Sequence, residues 1–157
     1  MYRNLSLLKY CIPCKARCCI IGRFIGSPIL SQEEAAKIKA VSRGHLKKVL
    51  SPTKFFYYIL VERKNTNRCF FLTKENKCRI QKMKPLDCLC YPIKAVYKNN
   101  GSIKFITDEK CPAIEHLGNE FVKKAKVVAL RSIKRFDKET YLHWLDNNVG
   151  WIKKTKK

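Results

Sequence analysis

The sequence has few acidic residues and little glycine. Twelve Asp and Glu residues stand against 34 Lys and Arg, which gives a formal net charge of +22, and no two carboxylates form a recognisable acid and base pair. The six glycines are scattered singly along 157 residues, so neither a phosphate-binding loop nor a glycine-rich nucleotide turn is present. We therefore do not expect the chain to be an enzyme on its own.

Long apolar segments are also missing. No run approaches the ~20 apolar residues that a membrane-spanning helix needs. Near the N-terminus the apolar residues 5–8 are followed by Lys9 and Cys11, which makes this run too short for the core of a signal peptide. We expect a cytoplasmic protein that makes no membrane contact.

Cysteine, by contrast, is abundant, with nine residues in the chain. A chain of this length buries roughly two-thirds of the surface that its unfolded form exposes, so it does not need cross-links merely because it is small. The cysteines are then either disulfides of an oxidising compartment or thiolate ligands in a reducing one. The odd count and the adjacent pair Cys18 and Cys19 favour ligands.

The first four cysteines lie within nine residues, 11–19, and begin with a C-x2-C step that commonly grips one metal ion or cluster. Free thiols at this density would be an oxidation hazard in a protein that did not use them. Cys69, Cys78, Cys88 and Cys111 are spaced too widely for a zinc knuckle, so tertiary structure must bring them in. We expect nearby lysines, Arg17 and a helix beginning after Cys111 to lower the thiol pKa values.

Capping and periodicity predict the first helix. Ser31 and Glu34 form a capping box, in which each side chain satisfies a backbone amide of the other residue. The helix is predicted to continue to about Leu50 and to end at Ser51-Pro52, with an apolar stripe of Ala35, Ile38, Leu46 and Val49.

Two hairpins and two further helices follow in the prediction. Residues 55–62 should pair with 69–72, and residues 93–97 with 103–107 through a tight turn at Asn100-Gly101, where both residues would take positive φ. Pro112 should open a helix that reaches about Arg135, and Asp137 should cap a last helix. The inward positions of these helices are Ile114, Leu117, Phe121, Ala125 and Val128, then Leu142, Leu145 and Val149.

These elements predict one small α+β domain over residues 1–152, followed by a basic tail at 153–157. The domain should contain β-hairpins, two or three helices and cysteine-rich loops around a metal centre. No internal repeat or long linker argues for a second domain.

The pattern of motifs resembles that of the CxxCxxCC (YkgJ-like) cysteine-cluster family from about Cys11 to Ile114. That family is described as zinc- or iron-chelating, and a related domain in flagellin lysine methylases is associated with a 4Fe-4S cluster. The resemblance rests on Cys11, Cys14, Cys18-Cys19, residues 29–34, Cys69-Phe70-Phe71-Leu72, Cys78-Arg79-Ile80, Lys84-Pro85 with Cys88, Tyr91-Pro92 and Cys111-Pro112.

By position, the resemblance implies eight metal ligands and places Cys90 at a variable site. This chain has Lys15-Ala16-Arg17 where a shorter step containing glycine is common, and Lys84 and Leu89 where arginines are typical. Eight thiolates are twice what one tetrahedral ion or one cubane cluster needs, so there are two centres or only half of the cysteines ligate. The implied ligands are Cys11, Cys14, Cys18, Cys19, Cys69, Cys78, Cys88 and Cys111.

The leading hypothesis is an iron-sulfur centre, 4Fe-4S, with a structural, electron-transfer or metal-handling role. Irregular cysteine spacing without histidine favours a cluster over the alternative cofactor, zinc. One alternative function is an iron-sulfur-dependent protein-modifying enzyme like the lysine methylases, although a glycine-rich cofactor turn is missing.

A second alternative, a zinc-stabilised nucleic-acid-binding protein, follows from the net charge of +22. The aromatic residues 55–58 could stack on bases, but a buried strand explains them more simply. Candidate partners are an acidic protein surface or a larger complex, and nucleic acid, for which no motif is present.

Overall fold

Helices and two antiparallel sheets form one small α+β domain, as predicted. The structure is a computed structural model that describes residues 7–21 and 26–148. Within these residues no helix is long and apolar enough to cross a membrane. The helices are α1 (Leu8–Cys11), α2 (Gln32–Ser42), α3 (Leu86–Leu89), α4 (Asn119–Ile133) and α5 (Lys138–Asn148), and the strands are β1 (Ile29–Leu30), β2 (Leu46–Leu50), β3 (Phe56–Leu60), β4 (Ile93–Tyr97) and β5 (Ile103–Thr107).

Helix α2 begins as predicted but ends much earlier. The capping box is confirmed, because the Glu34 amide donates to Ser31 Oγ and the Ser31 amide donates to the Glu34 carboxylate. The predicted continuation to Leu50 is wrong. Arg43 and Gly44 adopt φ values of 47° and 82°, a left-handed geometry that terminates helices, and the residues that follow form β2.

Strand β3 is the centre of the first sheet, in the order β1-β3-β2. The predicted pairing of residues 55–62 with 69–72 is wrong, because β3 forms its hairpin with β2, and between the predicted segments only Glu62 and Cys69 form an isolated bridge. Ser51 closes the turn locally, since its amide donates to the Phe55 carbonyl and its Oγ accepts from the Phe55 amide. Because this connection is short, β3 pairs with β2 at a lower entropic cost than it would with residues 69–72.

The predicted β4–β5 hairpin is confirmed, with Ile93 opposite Thr107 and Tyr97 opposite Ile103. Its turn differs from the prediction. Of the two turn residues only Gly101 has a positive φ, at 83°. The Asn100 side chain accepts a hydrogen bond from the Ser102 amide at 3.0 Å and so helps to close the loop between Tyr97 and Ile103.

The helix predicted from Pro112 starts later than expected. A 3-10 turn spans Ile114–His116, and α4 begins only at Asn119. Asp137 caps α5 as predicted, because Asp137 Oδ1 accepts a hydrogen bond from the Thr140 amide at 2.8 Å. The predicted inward position Val149 and the predicted basic tail lie outside the described residues.

Two groups of buried side chains form the core. The larger one lies between α4, α5 and the β4–β5 hairpin and includes Val128, Tyr141 and Trp144. The second packs α2 and the first sheet against the cysteine-bearing loops. Its buried members include Leu30, Ile38, Cys69, Phe71 and Leu72, with Cys19 and Cys78 packed against them. This second core therefore supports the cysteines directly.

Candidate metal centre

All eight cysteines that the resemblance implies as ligands line two cavities, and Cys18 lines both. None of the nine cysteines is in a disulfide. The remaining one, Cys90, lines neither of these cavities and is 1% exposed in the larger core. The larger cavity is lined by Cys18, Cys19, Cys69, Cys78 and Cys88, and the smaller one by Cys11, Cys14, Cys18 and Cys111.

Separate chain segments build the larger cavity. Cys18 and Cys19 lie on a 3-10 turn, Arg17–Cys19, and the Cys69 amide donates to the Cys19 carbonyl at 2.8 Å. An isolated bridge places Cys78 opposite Leu72, and Cys88 lies on α3. The cavity measures about 60 Å³, several times the ~10–15 Å³ that one water molecule requires.

The turn that leads into Cys18 has an unusual backbone. Lys15 and Ala16 have φ values of 57° and 50°, a region that glycine occupies without strain, and Ala16 is 2% exposed. This is the step where the resemblance leads one to expect glycine.

The smaller cavity also borders Cys18 and measures about 20 Å³. Helix α1 supplies Cys11, and the Cys14 thiol donates to the Cys11 carbonyl at 3.5 Å. Tyr91 lines both cavities and donates its hydroxyl to Asp108 at 2.5 Å. The two cavities therefore share a wall.

Burial dominates the ionisation of most of these thiols. It raises the pKa of Cys11 to about 11 and that of Cys69 to about 12, and it also raises the pKa values of Cys78, Cys88 and Cys111. The prediction that the thiol pKa values are lowered is therefore wrong for these five residues. A thiolate loses more hydration on burial than nearby cations restore, and no helix begins directly after Cys111.

Cys19 is the exception, and its pKa is lowered to about 7. The hydrogen bond from Cys18 is the main cause, and the positive charges of Lys84 and Arg68 add to it. The same hydrogen bond raises the pKa of Cys18. Lys84 lines the larger cavity and also favours the thiolates of Cys78 and Cys88. Lys84 therefore offsets thiolate charge at several cysteines of this cavity.

The donor set fits a thiolate-ligated metal in its chemistry, since the larger cavity combines five free thiols with two lysines, Lys84 and Lys94, of which Lys94 is paired with Asp87. Within residues 7–21 and 26–148, no three His, Cys, Asp or Glu side chains form a group that could hold a metal ion. The structure thus brings the cysteines to shared cavities without a ready-made set of ligands.

Replacing Lys84 with methionine is expected to weaken metal binding by about tenfold or more, because an opposite charge beside a thiolate is worth about 1–3 pKa units. The measurement is a competition titration of the metal-free protein with Co²⁺. Lys82→Met is the matched control, since Lys82 is exposed and does not line the larger cavity. Equal affinities of the two variants would show that Lys84 does not stabilise the ligands.

A buried ion pair that the sequence analysis missed also lines the larger cavity. Asp87 and Lys94 have side chains that are each 5% exposed and lie 2.5 Å apart. The second Asp87 oxygen accepts a hydrogen bond from the Ile29 amide at 3.3 Å, and Lys94 Nζ lies 5.0 Å from the Trp144 ring centroid. The sequence feature that indicates this ion pair is Lys94, a lysine inside the otherwise apolar strand β4.

The two adjoining cavities are thus lined by eight cysteines, Lys84 and Tyr91. Comparison with known proteins finds no matching family model, no matching curated protein and no matching solved structure.

Proposed function

We propose that the chain binds a cysteine-ligated iron-sulfur centre, 4Fe-4S, in the larger cavity. The observation that carries the proposal is the sorting of the cysteines: eight line two adjoining cavities and none is in a disulfide, whereas Cys90 lies in the apolar core. In an ordinary packed domain, free thiols behave as small apolar groups dispersed through the core.

The size of each cavity supports a cluster in the larger one and a single ion in the smaller one. Five thiols around about 60 Å³ suit a polynuclear centre, which needs four thiolates and room for its own atoms. Four thiols around about 20 Å³ suit a single tetrahedral ion such as zinc. Zinc therefore remains the alternative, with the smaller cavity as its place. Because Cys18 lines both, it would serve one centre or bridge the two.

The resemblance to the CxxCxxCC family adds to this proposal. A reducing compartment such as the cytoplasm suits it, because thiols there remain available for metals. The bound cluster would supply electron-transfer or metal-transfer chemistry, or it would tie the loops together. The chain's own part is to hold the thiols, to offset their charge with Lys84 and to keep water out through the apolar core beneath them.

Anaerobic purification followed by iron, acid-labile sulfide and zinc analysis tests the proposal. We expect iron and sulfide in equal amounts, together with the visible absorption of an iron-sulfur centre. Colourless protein with stoichiometric zinc would select the alternative. A folded preparation free of all three would falsify both.

A further inference from the structure

Two phenylalanines at the tip of the β2–β3 hairpin lie on the surface. The sequence favoured a buried strand for residues 55–58, but the structure buries only Tyr57 among them, at 1% exposure. Phe55 and Phe56 are 46% and 45% exposed, and their neighbour Leu50 is 52% exposed. Buried packing therefore explains Tyr57 but not the two rings before it.

The two rings lie on one side of an open groove beside the start of α2. Strand β1 ends at Leu30, opposite Tyr58, so the edge of β3 beyond Tyr58 has no partner from β1. The chain turns into α2 at this point and leaves the groove open. Its lining residues are Ser31, Gln32, Glu33, Ala36, Phe55, Phe56 and Arg135.

Lysines accompany the rings on this hairpin, and Asp137 also contacts its turn through Thr53. Lys48 Nζ lies 3.7 Å from the centroid of the Phe56 ring, and Lys54 is exposed in the turn. Residues 46–60 contain three lysines and no acidic residue. Arg135 on the groove wall is paired with Glu34 at 3.1 Å, and Glu33 is the acidic residue of the lining. The whole chain adds the field of a +22 net charge.

We propose that this groove binds single-stranded nucleic acid, with Phe55 and Phe56 stacking on bases and Lys48 and Lys54 contacting phosphates. Exposed aromatic faces beside cations are what an unpaired strand uses, because every base has a face that stacks and every nucleotide carries a negative charge. An acidic protein would use the lysines but would leave the flat rings without a matching partner. None of the cysteines lines this groove, so the inference does not depend on the proposed metal centre.

Fluorescence anisotropy of the full chain with a labelled oligothymidine of about 12 nucleotides, within the usual site sizes, tests the inference. Phe55→Ala and Phe56→Ala are each expected to weaken binding by on the order of tenfold. The matched control is Phe105→Ala on β5, which is 39% exposed and has Lys126 Nζ 5.5 Å from its ring centroid, and which should bind like the unaltered chain. Lys48→Ala should reduce the slope of log K against log salt by about 0.7.

Thermal unfolding of each variant confirms that the fold is unchanged. Equal affinity of all three phenylalanine variants would overturn the inference and leave only generic attraction of a basic protein. Heparin, which has no bases to stack, should bind the unaltered chain and the Phe55→Ala and Phe56→Ala variants alike, and an equal loss of heparin binding in these two variants would also overturn the inference. Phe55- and Phe56-dependent binding to phosphatidylserine vesicles but not to the oligonucleotide would assign the groove to a membrane surface instead.

Discussion

Replacing Cys88 with alanine is expected to abolish the iron-sulfur centre, whereas replacing Cys90 with alanine is expected to leave it intact. Cys88 lines the larger cavity, and Cys90, two residues further along, lies in the core of the domain. Each ligand contributes a share of a binding free energy that reaches about 10–16 kcal/mol in small structural zinc sites. Iron and sulfide per chain, measured after anaerobic purification, should fall to near zero in Cys88→Ala alone.

The two substitutions are closely matched, because both remove one sulfur atom from the same short stretch of chain. Cys90→Ala leaves a small apolar cavity, which is expected to cost about 1 kcal/mol of unfolding free energy without loss of metal. Equal loss of iron in both variants would mean that the substitutions act through folding. Full iron content in Cys88→Ala would exclude this residue as a ligand.

Replacing Lys94 with methionine is expected to lower the free energy of unfolding by about 3–5 kcal/mol, because it leaves the Asp87 carboxylate buried without its cation. Both side chains are 5% exposed, so water does not screen the pair. Burial alone would lower the pKa of Lys94, but the charge and hydrogen bond of Asp87, together with the nearby Cys90 and Cys88, outweigh burial and raise it, so Lys94 is protonated at neutral pH. Urea unfolding of the unaltered protein and the variant measures the loss.

The double variant Asp87→Asn/Lys94→Met separates the lost charge from lost packing. It removes both charges of this pair and keeps an acceptor for the Ile29 amide, so most of the stability should return. Lys124→Met breaks a second ion pair whose side chains are 40% and 80% exposed, and it should cause no measurable change. A double variant as unstable as Lys94→Met would contradict the explanation by unpaired charge.

The elements that the sequence predicted well depend on nearby residues. The capping box at Ser31 and the cap at Asp137 each join a side chain to an amide three residues away. The β4–β5 hairpin is likewise closed by a short loop. The helix predicted to Leu50 failed at Arg43 and Gly44, where two residues of positive φ end α2, although the apolar spacing continues beyond them.

The grouping of the cysteines could not be read from their spacing. The first cluster is divided between two cavities, with Cys11 and Cys14 in one, Cys19 in the other and Cys18 in both. Backbone contacts such as that between Cys69 and Cys19, 50 positions apart in the numbering, decide which thiols meet. The burial of Lys94 also depends on a contact between elements, because Lys94 lies on β4 and its partner Asp87 lies on α3.

X-ray absorption at the iron edge of the full, anaerobically purified chain tests most directly whether these cysteines share an inorganic core. Sulfur alone should surround the iron, with neighbouring iron atoms in the next shell. A shell of oxygen and nitrogen, or protein that folds with its thiols free and takes up no metal, would contradict the account.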